Sequence, residues 1–152
     1  ELPFSFTTAA ADIDATAADY AFEGPIEVEG HVMNTGTGYR VEGVIRARKR
    51  FICDRCLEEC LEAQEHAFSE MFRQGTPAEN DDANFFDGDE IELQELVRDT
   101  LLAAQPLSNI CKPDCKGLCP VCGANLNHGD CGCDRFVPDP RLAALQQFQA
   151  KE

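Results

Sequence analysis

No run of apolar residues in this 152-residue chain approaches the 18 or more that a membrane-spanning helix requires. No basic-then-apolar leader opens it either, although it begins at Glu1 without a methionine. Histidine is scarce: His31, His66 and His128 are scattered, and no HExxH, GxSxG or P-loop pattern occurs. These absences argue against a membrane protein and against an enzyme, and nothing marks a small-molecule substrate site. Positive charge is also short. Thirteen Lys and Arg face 28 Asp and Glu, a net charge of −15, which opposes nonspecific binding to a phosphate backbone.

The charge is unevenly spread. Six of the 13 basic residues, Arg40, Arg46, Arg48, Lys49, Arg50 and Arg55, fall within sixteen positions. Fourteen of the 28 acids lie between Glu58 and Asp99, opposed there only by Arg73 and Arg98. The basic stretch Arg46, Arg48, Lys49, Arg50 with Arg55 is a candidate RNA contact, although on a strand its charges alternate between faces and no aromatic platform is interleaved. A solvated edge strand guarded by its charges is the plainer reading. Glu90, Glu92, Glu95 and Asp99 are the candidate contact for a basic protein.

Cysteine is what the chain has in excess. Six of nine fall in one segment, Cys111-KPD-Cys115-KGL-Cys119-PV-Cys122-GANLNHGD-Cys131-G-Cys133. An odd total excludes complete internal disulfide pairing, and CxxC spacing in a reducing compartment favours metal. Only Leu118, Val121 and Leu126 are large and apolar between the first and last of these cysteines, so metal would replace a core. In Cys119-Pro-Val-Cys122-Gly, Pro120 presets φ and Gly123 can turn left-handed. Cys131 and Cys133, two apart, share a face if extended. Cys119, Cys122, Cys131 and Cys133 are the first choice of ligands to one structural Zn²⁺, with iron the rival metal. Cys115 and Cys111 are substitutes in that set, and His128 is a minor one. Cys53-Asp-Arg-Cys56, with Cys60 beyond, is a tight corner of buried thiols, a second half-site for metal, or a redox dithiol.

The pattern elsewhere predicts an α+β fold. Residues 1–23 form an extended lead-in with a strand near Phe4–Phe6. Strands over Ile26–Val32 and Tyr39–Ile52 flank a turn at Asn34–Gly38, making an antiparallel hairpin in which Gly43 marks a bulge. Leu57–Phe72 fits a helical stripe and an alternating strand almost equally. Gln74–Gly88 reads as a loop. A helix over Ile91–Ala104, capped by Asp87 or Asp89, ends before Pro106. Asp139-Pro140 starts a short terminal helix with Leu142, Leu145 and Phe148 inward. A small antiparallel sheet or partial barrel with its helix thus occupies residues 1–106. The cysteine-rich knuckle and terminal helix occupy 107–152.

The strings Cys53-Asp-Arg-Cys56-Leu57, CKGLCPVCGANLN, CGC and DPRLAAL, in that order and with a helix leading to Pro106-Leu107, resemble the YceD family, also known as DUF177. The resemblance covers roughly residues 24–148. Members are associated with accumulation of large-subunit ribosomal RNA in bacteria, with related proteins in chloroplasts. It therefore implies a cytoplasmic, non-enzymatic ribosome biogenesis factor whose partner is ribosomal RNA or a basic large-subunit ribosomal protein. It also implies that Leu57–Phe72 is extended. A metal-dependent thiol or redox protein using Cys53 and Cys56 is the alternative from another class.

Overall fold

The computed structural model describes residues 1–77, 84–135, 139–142 and 145. Strands dominate. In chain order they are β1 (Leu2–Thr8), β2 (Tyr20–Phe22), β3 (Ile26–Asn34), β4 (Tyr39–Ile52), β5 (Glu59–Gln74) and β6 (Asn84–Phe86), followed by one helix, α1 (Gln94–Ala103). They form one open sheet in the order β1-β3-β4-β5-β6, with β2 paired to β4 past the end of β3. Every pair is antiparallel except β5–β6. The architecture is the expected α+β class, with an open sheet, antiparallel but for β5–β6, where a small antiparallel sheet or partial barrel was expected.

Alternation along β4 sets the two faces. Val41, Ile45, Ala47, Lys49 and Phe51 point inward and are buried, while Arg48 and Arg50 are exposed. Tyr39 pairs with Phe72 and Ile52 with Glu59 in an unbroken ladder, so the ambiguous Leu57–Phe72 segment is extended from Glu59 onward. Its inward Phe68 and Phe72 join Ile26, Val28, Val41 and Ile45 in the core. The helix closes that core with Val97 and Leu101, both fully buried.

Gly43 makes no bulge. His31 stays opposite Glu42 and Glu29 opposite Val44, which leaves Gly43 facing Gly30 across the β3–β4 ladder. A Cβ on Gly43 would meet the Glu29 carbonyl and the Phe68 ring, and one on Gly30 would meet the Phe4 ring. The pair is glycine because two aromatic rings lie over the backbone there.

Other boundaries differ from expectation. The predicted Gln74–Gly88 loop contains β6, paired in parallel with the end of β5, with Phe72 opposite Asn84 and Gln74 opposite Phe86. The helix begins at Gln94, with Leu93 at the N-cap and no side-chain cap. Asp87 instead accepts the Gly88 N–H at 2.9 Å, a local turn that competes with capping. At the C-terminus, Leu142 and Leu145 are exposed and not inward. Phe148 lies outside the described residues.

Candidate metal centres and charged surfaces

β4 ends at Ile52, and the chain turns back through Cys53–Glu58 into β5. The turn is tight: Leu57 N–H donates to Cys53 O and Cys53 N–H to Glu58 O, each at 2.9 Å. Leu57 has φ +60°, a left-handed conformation uncommon for a residue with a Cβ. This brings the Cys53 and Cys56 sulfurs together on the inward side of the sheet's end. Residues 108–115 then dock on the same end. Two hydrogen bonds join Asp54 to the Asn109 backbone: Asp54 N–H donates to Asn109 O at 2.8 Å, and the Asp54 carboxylate Oδ2 accepts Asn109 N–H at 2.7 Å.

Lys49 anchors this docking from below. It is 1 % exposed and its Nζ donates to Asn109 Oδ1 at 2.6 Å. The ammonium sits 4.5 Å from the centre of the Tyr20 ring and 5.2 Å from that of Phe51. Burial lowers its pKa, against the attraction of Glu62, Asp19 and Asp54. Asn109 Nδ2 reaches on to Asp19 Oδ2 at 3.2 Å. One buried lysine therefore joins β4, the start of β2 and the cysteine segment.

The docking completes a four-sulfur cluster, Cys53, Cys56, Cys111 and Cys115, whose ligand atoms all lie within 4.8 Å of one another. Cys53 Sγ is 3.9 Å from Cys115 Sγ, and Cys56 Sγ is 3.7 Å from Cys111 Sγ. Tetrahedral Zn–S bonds of about 2.3 Å place sulfurs about 3.8 Å apart, whereas a disulfide needs about 2 Å. The spacing and the all-thiol donor set suit a tetrahedral metal. Burial pushes the Cys53 thiol up, but N–H groups of Cys56, Cys111 and Arg55 outweigh it and bring it down to about 6. The Asn127 amide lowers Cys115. Cys111 is raised, first by burial and then by the neighbouring sulfurs.

A second cluster comprises Cys119, Cys122, Cys131 and Cys133, the set expected from spacing, again within 4.8 Å. Gly123 has φ +74° and its N–H donates to Cys119 O at 2.8 Å, closing the knuckle. N–H groups of Cys122 and Val121 lower the Cys119 thiol to about 6. Bonds to Cys122 and Cys131 raise Cys133 to about 12. Two clusters thus stand where the spacing suggested one. Cys111 and Cys115 do not substitute into the second; they complete the first with Cys53 and Cys56. Cys60 lies beside the first cluster but outside its four sulfurs, its thiol 3.5 Å from Glu58 O. His128 belongs to neither; its Nε2 faces Glu58 at 3.1 Å.

The basic candidates do not form one surface. Lys49 points into the core, the alternation of β4 having turned it away from its neighbours. Arg46 is held between Glu29 at 2.7 Å and Glu65 at 2.8 Å. Arg55 donates to Cys115 O at 3.1 Å. Arg48 and Arg50 share the outer face and form no ion pair among the described residues. The acidic candidates do converge. Glu90, Glu92, Glu95 and Asp99 line a groove of about 990 Å³ between α1 and β5–β6, together with Glu70 and Asp87. Phe72, Phe85, Phe86 and Leu96 supply most of its apolar lining, and no Lys or Arg contributes among the described residues. Sequence reasoning missed this lining because Phe85 and Phe86 fell in an apparent loop. No helix is long and apolar enough to cross a membrane among the described residues.

The chain is similar in sequence to proteins already known. An uncharacterized protein of Mycobacterium tuberculosis is 29 % identical over 132 residues, covering 84 % of this chain and 63 % of that protein. The Large ribosomal RNA subunit accumulation protein YCED homolog 1, chloroplastic, of Arabidopsis thaliana is 27 % identical over 169 residues, covering 88 % and 53 %. Its Zea mays counterpart is 28 % identical over 135 residues, covering 68 % and 46 %. The chain therefore spans less than two thirds of each of these relatives. No solved structure matches it. Residues 41–149, which contain both four-sulfur clusters, match the family model described as Large ribosomal RNA subunit accumulation protein YceD, and the chain belongs to that family.

Proposed function

We propose that this protein is a non-enzymatic, cytoplasmic factor promoting accumulation or assembly of the large ribosomal RNA subunit. Family membership and the names of the plant relatives support the ribosomal role. Zn²⁺ in both clusters would be structural, since all four sulfurs of each site are available to close the tetrahedron without an open position. Iron is the less favoured metal for the same donors.

The observation that carries the mechanism is the groove beside α1. A groove lined by both acidic and aromatic side chains suits a cationic segment with apolar anchors, as in a basic ribosomal protein, and holding such a protein would keep it from premature contact with RNA. Direct RNA binding through Arg48, Arg50 and Arg55 is the second mechanism, favoured by the exposure of Arg48 and Arg50 on the outer face. The test measures association with a basic large-subunit ribosomal protein and with ribosomal RNA, at low and high salt. Replacing Glu90, Glu92, Glu95 and Asp99 by neutral isosteres should slow association with the protein by about tenfold, because steering acts on the on-rate. Replacing Arg48, Arg50 and Arg55 by Gln should leave it unchanged. Tight RNA binding at physiological salt, abolished by the arginine replacements, would overturn the preference.

The thiol reading meets a mixed site. A depressed Cys53 thiol is what a redox dithiol needs, but Cys53 is fully buried among three other sulfurs. The donors that depress it are equally the backbone N–H groups that a metal thiolate uses.

A further inference from the structure

The two clusters share no ligand, yet one side chain spans them. Asn127 lies between Cys122 and Cys131, inside the loop that the second cluster closes. Its Nδ2 donates to Cys115 Sγ of the first cluster at 3.3 Å. Its Oδ1 accepts the Lys116 N–H at 3.0 Å. Because a backbone donor occupies Oδ1, the amide must turn its NH₂ to the sulfur, so the orientation is set by chemistry. Among the described residues no other side-chain amide reaches a sulfur of the first cluster.

The loop carrying Asn127 has almost no core to hold it. Leu126 is its buried apolar residue, and its remaining ties are short polar ones. Leu126 N–H donates to Gly117 O at 2.9 Å and Asn127 N–H to Asn125 Oδ1 at 2.9 Å. Cys119 with Cys122 on one side and Cys131 with Cys133 on the other would fix its ends once joined by a metal. Four thiolates around one divalent ion retain a charge of two minus, which N–H donors to sulfur stabilise. We propose that Asn127 is a positioning residue through which the second metal site tightens the first. Metal in the second site fixes the loop, and the fixed loop holds the amide on the Cys115 thiolate. The coupling is reciprocal, so a filled first site also favours filling of the second. This inference rests on the reading of both clusters as metal sites.

The test follows zinc release from the whole 152-residue, zinc-loaded chain to a chromogenic chelator. A Cys122→Ser, Cys131→Ser variant lacks the second site and so identifies its release phase. In Asn127→Ala, release from the first site should be about tenfold faster, and release from the second nearly unchanged. Asn127→Asp keeps the shape and the acceptor for Lys116 but loses the donor, and should weaken the first site at least as much. The double-serine variant should also speed first-site release, and adding Asn127→Ala to it should have little further effect, since both changes remove one interaction. Unaltered first-site release in Asn127→Ala, equal acceleration at both sites, or simple additivity with the double-serine variant would overturn the inference while leaving the metal sites standing. A wild-type chain that takes up no zinc would overturn both.

Discussion

The two sulfur clusters have the same ligands and opposite relations to the fold. The first gathers cysteines from the β4–β5 turn and from a segment more than fifty residues later, and three of its four sulfurs belong to buried residues. The second draws all its ligands from Cys119–Cys133, and Cys122 is exposed. Closing a long loop removes more freedom from the unfolded chain than closing a short one, and a site embedded in a core inherits that core's stability. The first cluster would then unfold with the sheet whose end it ties, and the second would be an appendage held by a metal of its own.

The strongest way to break this comparison is to remove a ligand of the first cluster. Cys115→Ser should release one zinc per chain and cost on the order of 5 kcal/mol, enough to unfold much of a domain of ordinary stability. Thermal unfolding alongside elemental analysis checks it; an unchanged melting temperature would place the first cluster outside the main unit. Lys49→Ala tests the same docking without touching a ligand. It strips a buried stem and leaves Asn109 Oδ1 unsatisfied, at a cost of about 3 kcal/mol, and Lys49→Met should recover part of that by refilling the space. Gly43→Ala should cost about 2 kcal/mol through collision with the Glu29 carbonyl and Phe68 ring, and it sharpens the comparison by loading strain on the sheet alone. Cys122→Ser should have the smallest global effect. It should release the second zinc and raise amide exchange over residues 117–133, with β3, β4 and β5 still protected. Loss of protection in the sheet would show that the two regions unfold together.

What was legible in the sequence follows the range of the interactions. The β3–β4 hairpin was visible because its turn chemistry and alternation are local: Asn34 Oδ1 accepts the Gly36 N–H, and Gly36 has φ +85°. The second cluster was visible for the same reason. The first was legible only as a half-site at Cys53 and Cys56, because they meet Cys111 and Cys115 only after the sheet's end and the later segment dock. Lys49 and Asn109, which arrange that docking, carry no signature of their own, and Lys49 stood in a basic run that suggested a surface. β6 was hidden in an acidic stretch, where Asn84, Phe85 and Phe86 pair with the end of β5. The extended state of Glu59–Phe72 was legible through the family resemblance, which placed its start two residues early at Leu57, and not through periodicity, since Leu61 is exposed and weakens the alternation.

The distance in sequence between the halves of the first cluster also sets a timetable. A chain emerging from synthesis presents Cys53 and Cys56 long before Cys115, so any metal met early finds a two-sulfur half-site of low affinity. Four-sulfur capture waits until β5, α1 and the following segment have been made and have docked. Metal retention at this site would then report completed assembly of the domain, and a half-made or truncated chain would be distinguished from a finished one by its failure to keep zinc.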